Sequence, residues 1–175
     1  MAPTPSNIVL IGMPGSGKST VGVLLAKKRS CSFVDTDILI QTSQKRSLQD
    51  IVDNNGYAAL RKIEESVLLD LCVHNHVIAT GGSAVYSDSA MAHLKRDGLV
   101  IFLDVDLAQL ESRIADVTTR GLAKPPQQSF SQLFNERWGL YARHADITIK
   151  CRGRTPEEVC AMIMKEISRG RSCYF

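Results

Sequence analysis

The eight residues Gly12-Met13-Pro14-Gly15-Ser16-Gly17-Lys18-Ser19 constrain this chain more than any other stretch, because they fit the pattern G-x-x-x-x-G-K-[ST] in the context it requires. Before them runs the apolar tetrad Ile8-Val9-Leu10-Ile11, which reads as a short buried strand. After them runs Thr20 to Arg29, with apolar residues at helical spacing and Lys27, Lys28 and Arg29 where a helix C-terminus favours cations. Glycines at 12, 15 and 17 open backbone conformations closed to other residues, so that loop N–H groups can turn onto an anion. The helix opening near Lys18 adds unpaired N–H groups, Lys18 supplies a mobile cation for outer phosphates, and the Ser19 hydroxyl can ligate Mg2+. Gly12, Gly15, Ser16, Gly17, Lys18, Ser19 and Thr20 are therefore the expected nucleotide contacts, with ATP and Mg2+ as the expected ligands.

Composition bounds the rest. At 175 residues the chain has single-domain length, residues 1–175, and 44% hydrophobic content is enough for a core without disulfide staples. The net charge of +3, with no basic run interleaved with aromatics, points away from nucleic acid and membrane surfaces and toward small ligands. Five widely spaced cysteines form no C-x-x-C pair, which suits free thiols in a reducing compartment. The N-terminus lacks a charged region before an apolar run, and no stretch approaches the roughly 18 apolar residues of a membrane span, so the cytoplasm is the expected location; a monomer is the expected state.

Along the chain, residues 1–6 read as a loose tail, and Ser32-Phe33-Val34 leads into Asp35-Thr36-Asp37. A second strand thus delivers two carboxylates to the sheet edge where open α/β folds bind ligands, although Asp at that position also serves as a helix N-cap. Ser47-Leu48-Gln49-Asp50 resembles a capping box for a short helix ended by Asn55-Gly56. Tyr57 to His74 is the longest periodic segment, with Leu60, Ile63, Val67, Leu68 and Leu71 on one stripe and Arg61 and Glu64 off it. Spacing alone leaves Arg61 open between a ligand contact and a surface ion pair with Glu64 or Glu65. Val77 to Thr80 is a third strand running into Gly81-Gly82-Ser83, where backbone can approach a ligand or simply turn. A helix over Ser87 to Arg96, a strand over Leu99 to Leu103 and a helix capped by Asp106, carrying Leu107, Leu110, Ile114, Val117 and Arg113, follow. The aperiodic segment 118–128, with Arg120, Gly121 and two prolines, is expected to be a mobile surface piece of the lid kind. Phe130 to Arg143 is helical with Arg137 and Tyr141 on one face, Asp146 to Ile149 is a fifth strand, Thr155-Pro156 opens a last helix, and 168–175 is expected to fray.

These motifs taken together (the phosphate loop, Asp35-Thr36-Asp37, Leu60-Arg61-Lys62-Ile63-Glu64, Ala79-Thr80-Gly81-Gly82, Arg120, and Arg137 with Tyr141) resemble the shikimate kinase family over about residues 8–167. The resemblance implies a three-layer αβα P-loop kinase of the nucleoside-monophosphate-kinase type. It would have a five-stranded parallel sheet in order 2-3-1-4-5, an acceptor-binding region over about 36–64, a lid over about 118–129, and a place in aromatic amino acid biosynthesis. It further implies that Asp37 holds the acceptor hydroxyl and takes its proton, that Asp35 stands beside the metal with Ser19, and that Arg61 and Arg137 grip the acceptor carboxylate. Gly81, Gly82 and Ser83 would meet the ring, Arg113, Arg154 and Pro156 would border the adenine, and Arg120 would approach the transferring phosphate.

Two positions depart from the family pattern: Ser83 stands for a third glycine, and Arg120-Gly121-Leu122-Ala123 stands for Arg-Pro-Leu-Leu. Ser83 adds a hydroxyl beside the ring and Gly121 removes a stiffening proline, so restoring Gly at 83 and Pro at 121 is expected to change shikimate turnover only modestly if shikimate is the substrate. A same-fold kinase of another hydroxy acid or amino-acid alcohol (gluconate-like or homoserine-like) stays open beside it. A nucleotide-binding module of little activity is a third reading, disfavoured because a module that only bound nucleotide has no use for Asp37. No N-K-x-D motif points to guanine.

Overall fold

The computed structural model describes residues 5–113 and 121–172. The apolar tetrad lies in β1 (Asn7–Ile11), followed by α1 (Lys18–Arg29), β2 (Ser32–Asp35), α2 (Thr36–Gln44), α3 (Leu48–Asn55) and α4 (Tyr57–Asp70). Then come β3 (His76–Ala79), a 3-10 turn (Ala84–Tyr86), α5 (Asp88–Lys95), β4 (Gly98–Asp104), α6 (Leu107–Arg113), α7 (Phe130–His144), β5 (Ile147–Lys150) and α8 (Pro156–Ser172). The strands form one sheet in order β2-β3-β1-β4-β5, every pairing parallel. This is the order the family resemblance implies.

Parallel strands need crossover helices, and helices on both faces leave β1 buried throughout and β4 buried except at Leu99 and Asp104, which is why both carry near-continuous apolar runs. Since all strands point the same way, Ile11, Asp35, Ala79 and Asp104 end at one edge. The chain leaves β1 toward β2 on one side, while β4 lies against β1 on the other, so the Gly12–Ser19 loop sits at the point where the strand order reverses. The main core gathers residues from all five strands and from α1, α4, α5, α7 and α8. A second, small cluster of Ile40, Ile51, Leu60 and Ala123 fastens α2, α3 and α4 to the chain just past residue 121.

Three boundaries differ from the sequence expectation, each for a local reason. Helix α4 stops at Asp70 instead of reaching His74, because Leu71 turns extended and Asn7 captures the chain beyond it. The Asn7 amide donates to the Val73 carbonyl at 2.7 Å and its oxygen accepts from the His76 N–H at 2.9 Å. Ser6 is not loose, since its N–H donates to Asp97 Oδ1 at 3.1 Å. Helix α8 continues through Ser172 where fraying was expected, with Ser168 Oγ donating back to the Met164 carbonyl at 2.9 Å. Periodicity gave no sign of the 3-10 turn at Ala84–Tyr86, which is too short to carry any. Among the described residues no helix is long and apolar enough to cross a membrane.

Gly98 opens β4 at a point where α5 hands over to the sheet, and a Cβ there would lie 2.5 Å from the Leu94 carbonyl oxygen and 2.8 Å from Val9. Neither backbone nor core can give way cheaply, so Gly98→Ala is expected to cost roughly 1–3 kcal/mol of stability. Urea unfolding should show this as a lower midpoint with an unchanged slope.

Candidate active site

The loop after β1 behaves as its glycines suggest. Gly15 and Gly17 have φ of 80° and 90°, and Gly17 serves as the left-handed N-cap of α1 with no side chain to occupy its N–H groups. Gly12 is needed for space as well, since a Cβ would lie 2.9 Å from the Leu103 carbonyl oxygen. Lys18 folds back over the loop, its Nζ donating to the Gly12 and Met13 carbonyls at 2.8 and 2.9 Å. Burial lowers its pKa from 10.5 to about 8, and the negative charges of Asp37, Asp35 and Glu64 limit the fall. The result is a cation held over an anion cradle by neutral carbonyls that a phosphate oxygen can outbid.

Asp35 is the helix cap that one reading of the acidic turn expects, and its second oxygen also faces the phosphate loop. Its Oδ1 accepts from the Asp37 N–H at 3.0 Å and so caps α2, while its Oδ2 accepts from Ser19 Oγ at 2.5 Å. A carboxylate and a hydroxyl side by side at the phosphate loop are hard oxygen donors, of the number Mg2+ takes from protein when phosphates and waters complete its shell. Asp37, two residues on, faces the cleft beside the phosphate loop, and burial raises its carboxyl pKa, with Lys18 opposing the rise.

On the far wall the Gly81-Gly82 backbone is walled in by charged groups. A Cβ on Gly81 would lie 2.3 Å from Glu64 Oε1 and 2.7 Å from Asp37 Oδ1, and one on Gly82 would lie 2.8 Å from Arg137 Nη1. The Gly81 N–H donates to Thr36 Oγ1 at 3.1 Å, and Tyr141 Oη donates to the Gly82 carbonyl at 2.7 Å. Arg137 is 1% exposed. Its Nη2 donates to the Ala123 carbonyl at 2.9 Å, and Arg61 donates to that same oxygen through Nε at 3.2 Å and Nη2 at 3.0 Å. The surface ion pair weighed for Arg61 does not form. Glu65 accepts from Ser87 and Ser89 instead, and Glu64 is buried.

Glu64 was expected off the apolar stripe of α4 and lies on its buried face, 3% exposed. The signal was in the sequence, for Glu64 stands four residues from both Leu60 and Leu68, the two buried leucines of the helix. Its Oε2 accepts from the Ser83 hydroxyl, and Oε1 has no partner among the described residues. Ser83 therefore turns its hydroxyl onto α4.

Lys18, Ser19, Asp37, Glu64, Gly81, Gly82, Ser83, Ala123 and Arg137 line one cleft of about 770 Å³, whereas Arg61 stands behind Ala123 beside a smaller hollow that it shares with Ser83 and Tyr86. The other end of the cleft is bordered by Thr20, Arg113, Arg154 and Pro156, with Arg113 Nη1 donating to the Gly15 carbonyl at 3.2 Å and Arg154 paired with Glu158 at 3.5 Å. Arg120 lies outside the described residues. Gly121 corrects the expectation that proline would be tolerated there. Its φ is +60°, a Cβ would lie 2.4 Å from the Leu48 backbone, and its N–H donates to Gln49 Oε1 at 2.8 Å. Proline can supply neither that dihedral nor that donor. Beyond Glu64, the sequence reading also missed Tyr86, on whose ring the Arg61 guanidinium lies at 3.7 Å from the centroid, and the Ala123 carbonyl.

The family model described as Shikimate kinase matches residues 14–168. The chain is similar to the shikimate kinase of Thermodesulfovibrio yellowstonii, 38% identical over 93% of this chain and 95% of the relative. It is also similar to that of Rippkaea orientalis, 40% identical over 92% and 87%. Among solved structures, shikimate kinase from Acinetobacter baumannii in complex with shikimate superposes with a TM-score of 0.88, at 28% identity, over 97% of this chain and 96% of that one.

Burial, and then the charge of Asp37, raise the Glu64 pKa from 4.5 to about 7. The native state thus holds this proton more tightly than the unfolded chain. The associated stability is full below about pH 4.5 and is lost as pH rises toward 7, a difference on the order of 3 kcal/mol at about 1.4 kcal/mol per pKa unit. Glu64→Gln removes the ionisation, so the variant should gain on wild type by up to that amount between pH 4.5 and 8 in urea titrations. Parallel pH profiles for the two proteins would contradict the burial of an acid here.

Proposed function

Because the chain belongs to the shikimate kinase family, we propose that its cleft transfers the γ-phosphoryl group of ATP to a shikimate hydroxyl, giving shikimate 3-phosphate. The observation that carries the acceptor assignment is the meeting of Arg61 and Arg137 on one oxygen, three N–H donors from two guanidinium groups. That donor set matches a carboxylate, which accepts such forks in charge-assisted bonds. The acceptor hydroxyl lies against Asp37. As it attacks the γ-phosphorus, its O–H proton passes to the Asp37 carboxylate, a new O–P bond forms, and the β–γ bridging P–O bond breaks with its electron pair left on ADP. The raised pKa of Asp37 makes it a better proton acceptor than an exposed carboxylate.

Lys18 and the loop N–H groups take the phosphate charge, and Ser19 with Asp35 would hold Mg2+. When bound, Mg2+ neutralises charge on the β- and γ-phosphate oxygens. Arg113, Arg154 and Pro156 border the nucleotide base, and Arg120 is assigned to the transferring phosphate. The Ser83 departure does not favour a different acid, because its hydroxyl is engaged by Glu64. Free thiols at Cys31, Cys72, Cys151 and Cys160 support a cytoplasmic setting.

Coupled ATP turnover against shikimate, gluconate, homoserine and no acceptor tests the reading, which fails if gluconate or homoserine is turned over faster than shikimate. Asp37→Asn should lower kcat by about 10² to 10⁴ with ATP affinity nearly unchanged. Arg61→Ala or Arg137→Ala should raise the shikimate KM roughly 10-fold to 100-fold, the equivalent of about 1.5–3 kcal/mol in hydrogen bonds to a charged group, and leave the ATP KM alone. Gly121→Pro imposes backbone strain of about 1–3 kcal/mol on the segment that carries Ala123, so shikimate kcat/KM should fall about 10-fold to 100-fold. Retention of wild-type kinetics in that variant would show that the segment does not shape the acceptor site.

A further inference from the structure

Two guanidinium groups that meet on one carbonyl repel each other, and the protein has to hold them together before any anion does. The Ala123 oxygen is one restraint. The other is Tyr86, on the 3-10 turn that follows Gly82 and Ser83. Its ring lies 3.7 Å from the Arg61 guanidinium carbon and 5.3 Å from that of Arg137, measured to the ring centroid. Its hydroxyl accepts from Arg137 Nε at 3.3 Å and donates to Glu136 Oε1. Glu136 is fixed in turn by Gln128, whose amide donates to Oε2 at 2.5 Å. One aromatic side chain thus touches both cations, by its electron-rich face and by its oxygen, and is itself anchored from α7 and from the segment before it.

We propose that Tyr86 is a positioning residue for the acceptor carboxylate: it holds the Arg61 and Arg137 guanidinium groups at the separation and tilt that one carboxylate takes. The inference rests on the reading above that these arginines bind that carboxylate. A ring face draws cations that an aliphatic side chain of equal size cannot draw, and it fixes the guanidinium plane while leaving its N–H edge free to bond. The Ala123 carbonyl complements this by accepting from N–H groups of both guanidinium groups. The affinity for the carboxylate then reflects an ordering of two long side chains that the fold has already imposed.

The test is steady-state kinetics with shikimate and ATP on the full chain carrying Tyr86→Phe, Tyr86→Leu, Arg61→Ala, Arg137→Ala and the double change Arg61→Ala/Tyr86→Leu, each checked by thermal melting. Tyr86→Leu should raise the shikimate KM about 5-fold to 20-fold, with kcat and the ATP KM within about twofold of wild type. Tyr86→Phe keeps the face and should cost about two- to threefold. In the Arg61→Ala background Tyr86→Leu should add less than about threefold, because the cation nearest the ring is gone. The proposal is overturned if Tyr86→Leu moves kcat and the ATP KM as much as the shikimate KM, or has its full effect without Arg61, since packing alone would do that. Should Tyr86→Leu fail to fold, Tyr86→Met, which fills space on a flexible stem, carries the same comparison. If neither arginine variant changes the shikimate KM, the carboxylate reading itself fails and takes this proposal with it. If both raise it and Tyr86→Leu does not, only the role of Tyr86 is refuted.

Discussion

Everything in the cleft depends on burying charge without leaving it alone. Lys18, Glu64 and Arg137 are 8%, 3% and 1% exposed, and Asp37 is mostly withdrawn from water as well. A single ion in such a place would be expelled or neutralised, whereas a group of both signs is tolerable when each charge lies within reach of the others. The titration shifts show the balance: burial draws Lys18 down and Asp37 and Glu64 up, and in each case an opposite charge resists. The cluster also explains why glycine occupies positions 81 and 82. Carboxylates and a guanidinium close in from both sides of that backbone, and a side chain there would force them apart.

Most of this fold was legible because its signals are local. The glycine loop between strand and helix, the capping box at Ser47 and the proline opening α8 each specify their own conformation, and alternation of strand with helix implies a parallel sheet. The misjudged boundaries were set by distant partners. Nothing near Leu71 tells that Asn7, far back in the chain, will take the Val73 carbonyl and the His76 amide. The site divides the same way. Lys18, Ser19, Asp35 and the glycines follow from motif chemistry, and Asp35 shows that a helix cap can also reach the phosphate loop, as one oxygen caps α2 and the other accepts from Ser19.

What escaped the sequence was of two kinds. Glu64 was visible in principle, since its spacing from Leu60 and Leu68 puts it on the buried face, but charge argued against placing it there. The Ala123 carbonyl was not visible at all, because a backbone oxygen carries no residue signature. Gly121 was misread for a related reason: compared with a family pattern it looked like a lost proline, whereas its dihedral and its contact with Leu48 and Gln49 make it the residue this backbone requires.

The small cluster of Ile40, Ile51, Leu60 and Ala123 stands apart from the core that ties the five strands together. Four buried residues resist opening far less than thirty, so the faces of α2, α3 and α4 that meet Ala123, beside the proposed acceptor site, form a weaker patch next to the main core, which α4 also joins through Leu68. Warming should loosen the grip on the acid before the sheet melts, so activity is lost at a temperature where the far-ultraviolet signal of the fold is still intact. The same weakness has a use: an acid bound at the proposed acceptor site should consolidate this patch and so raise resistance to proteolysis.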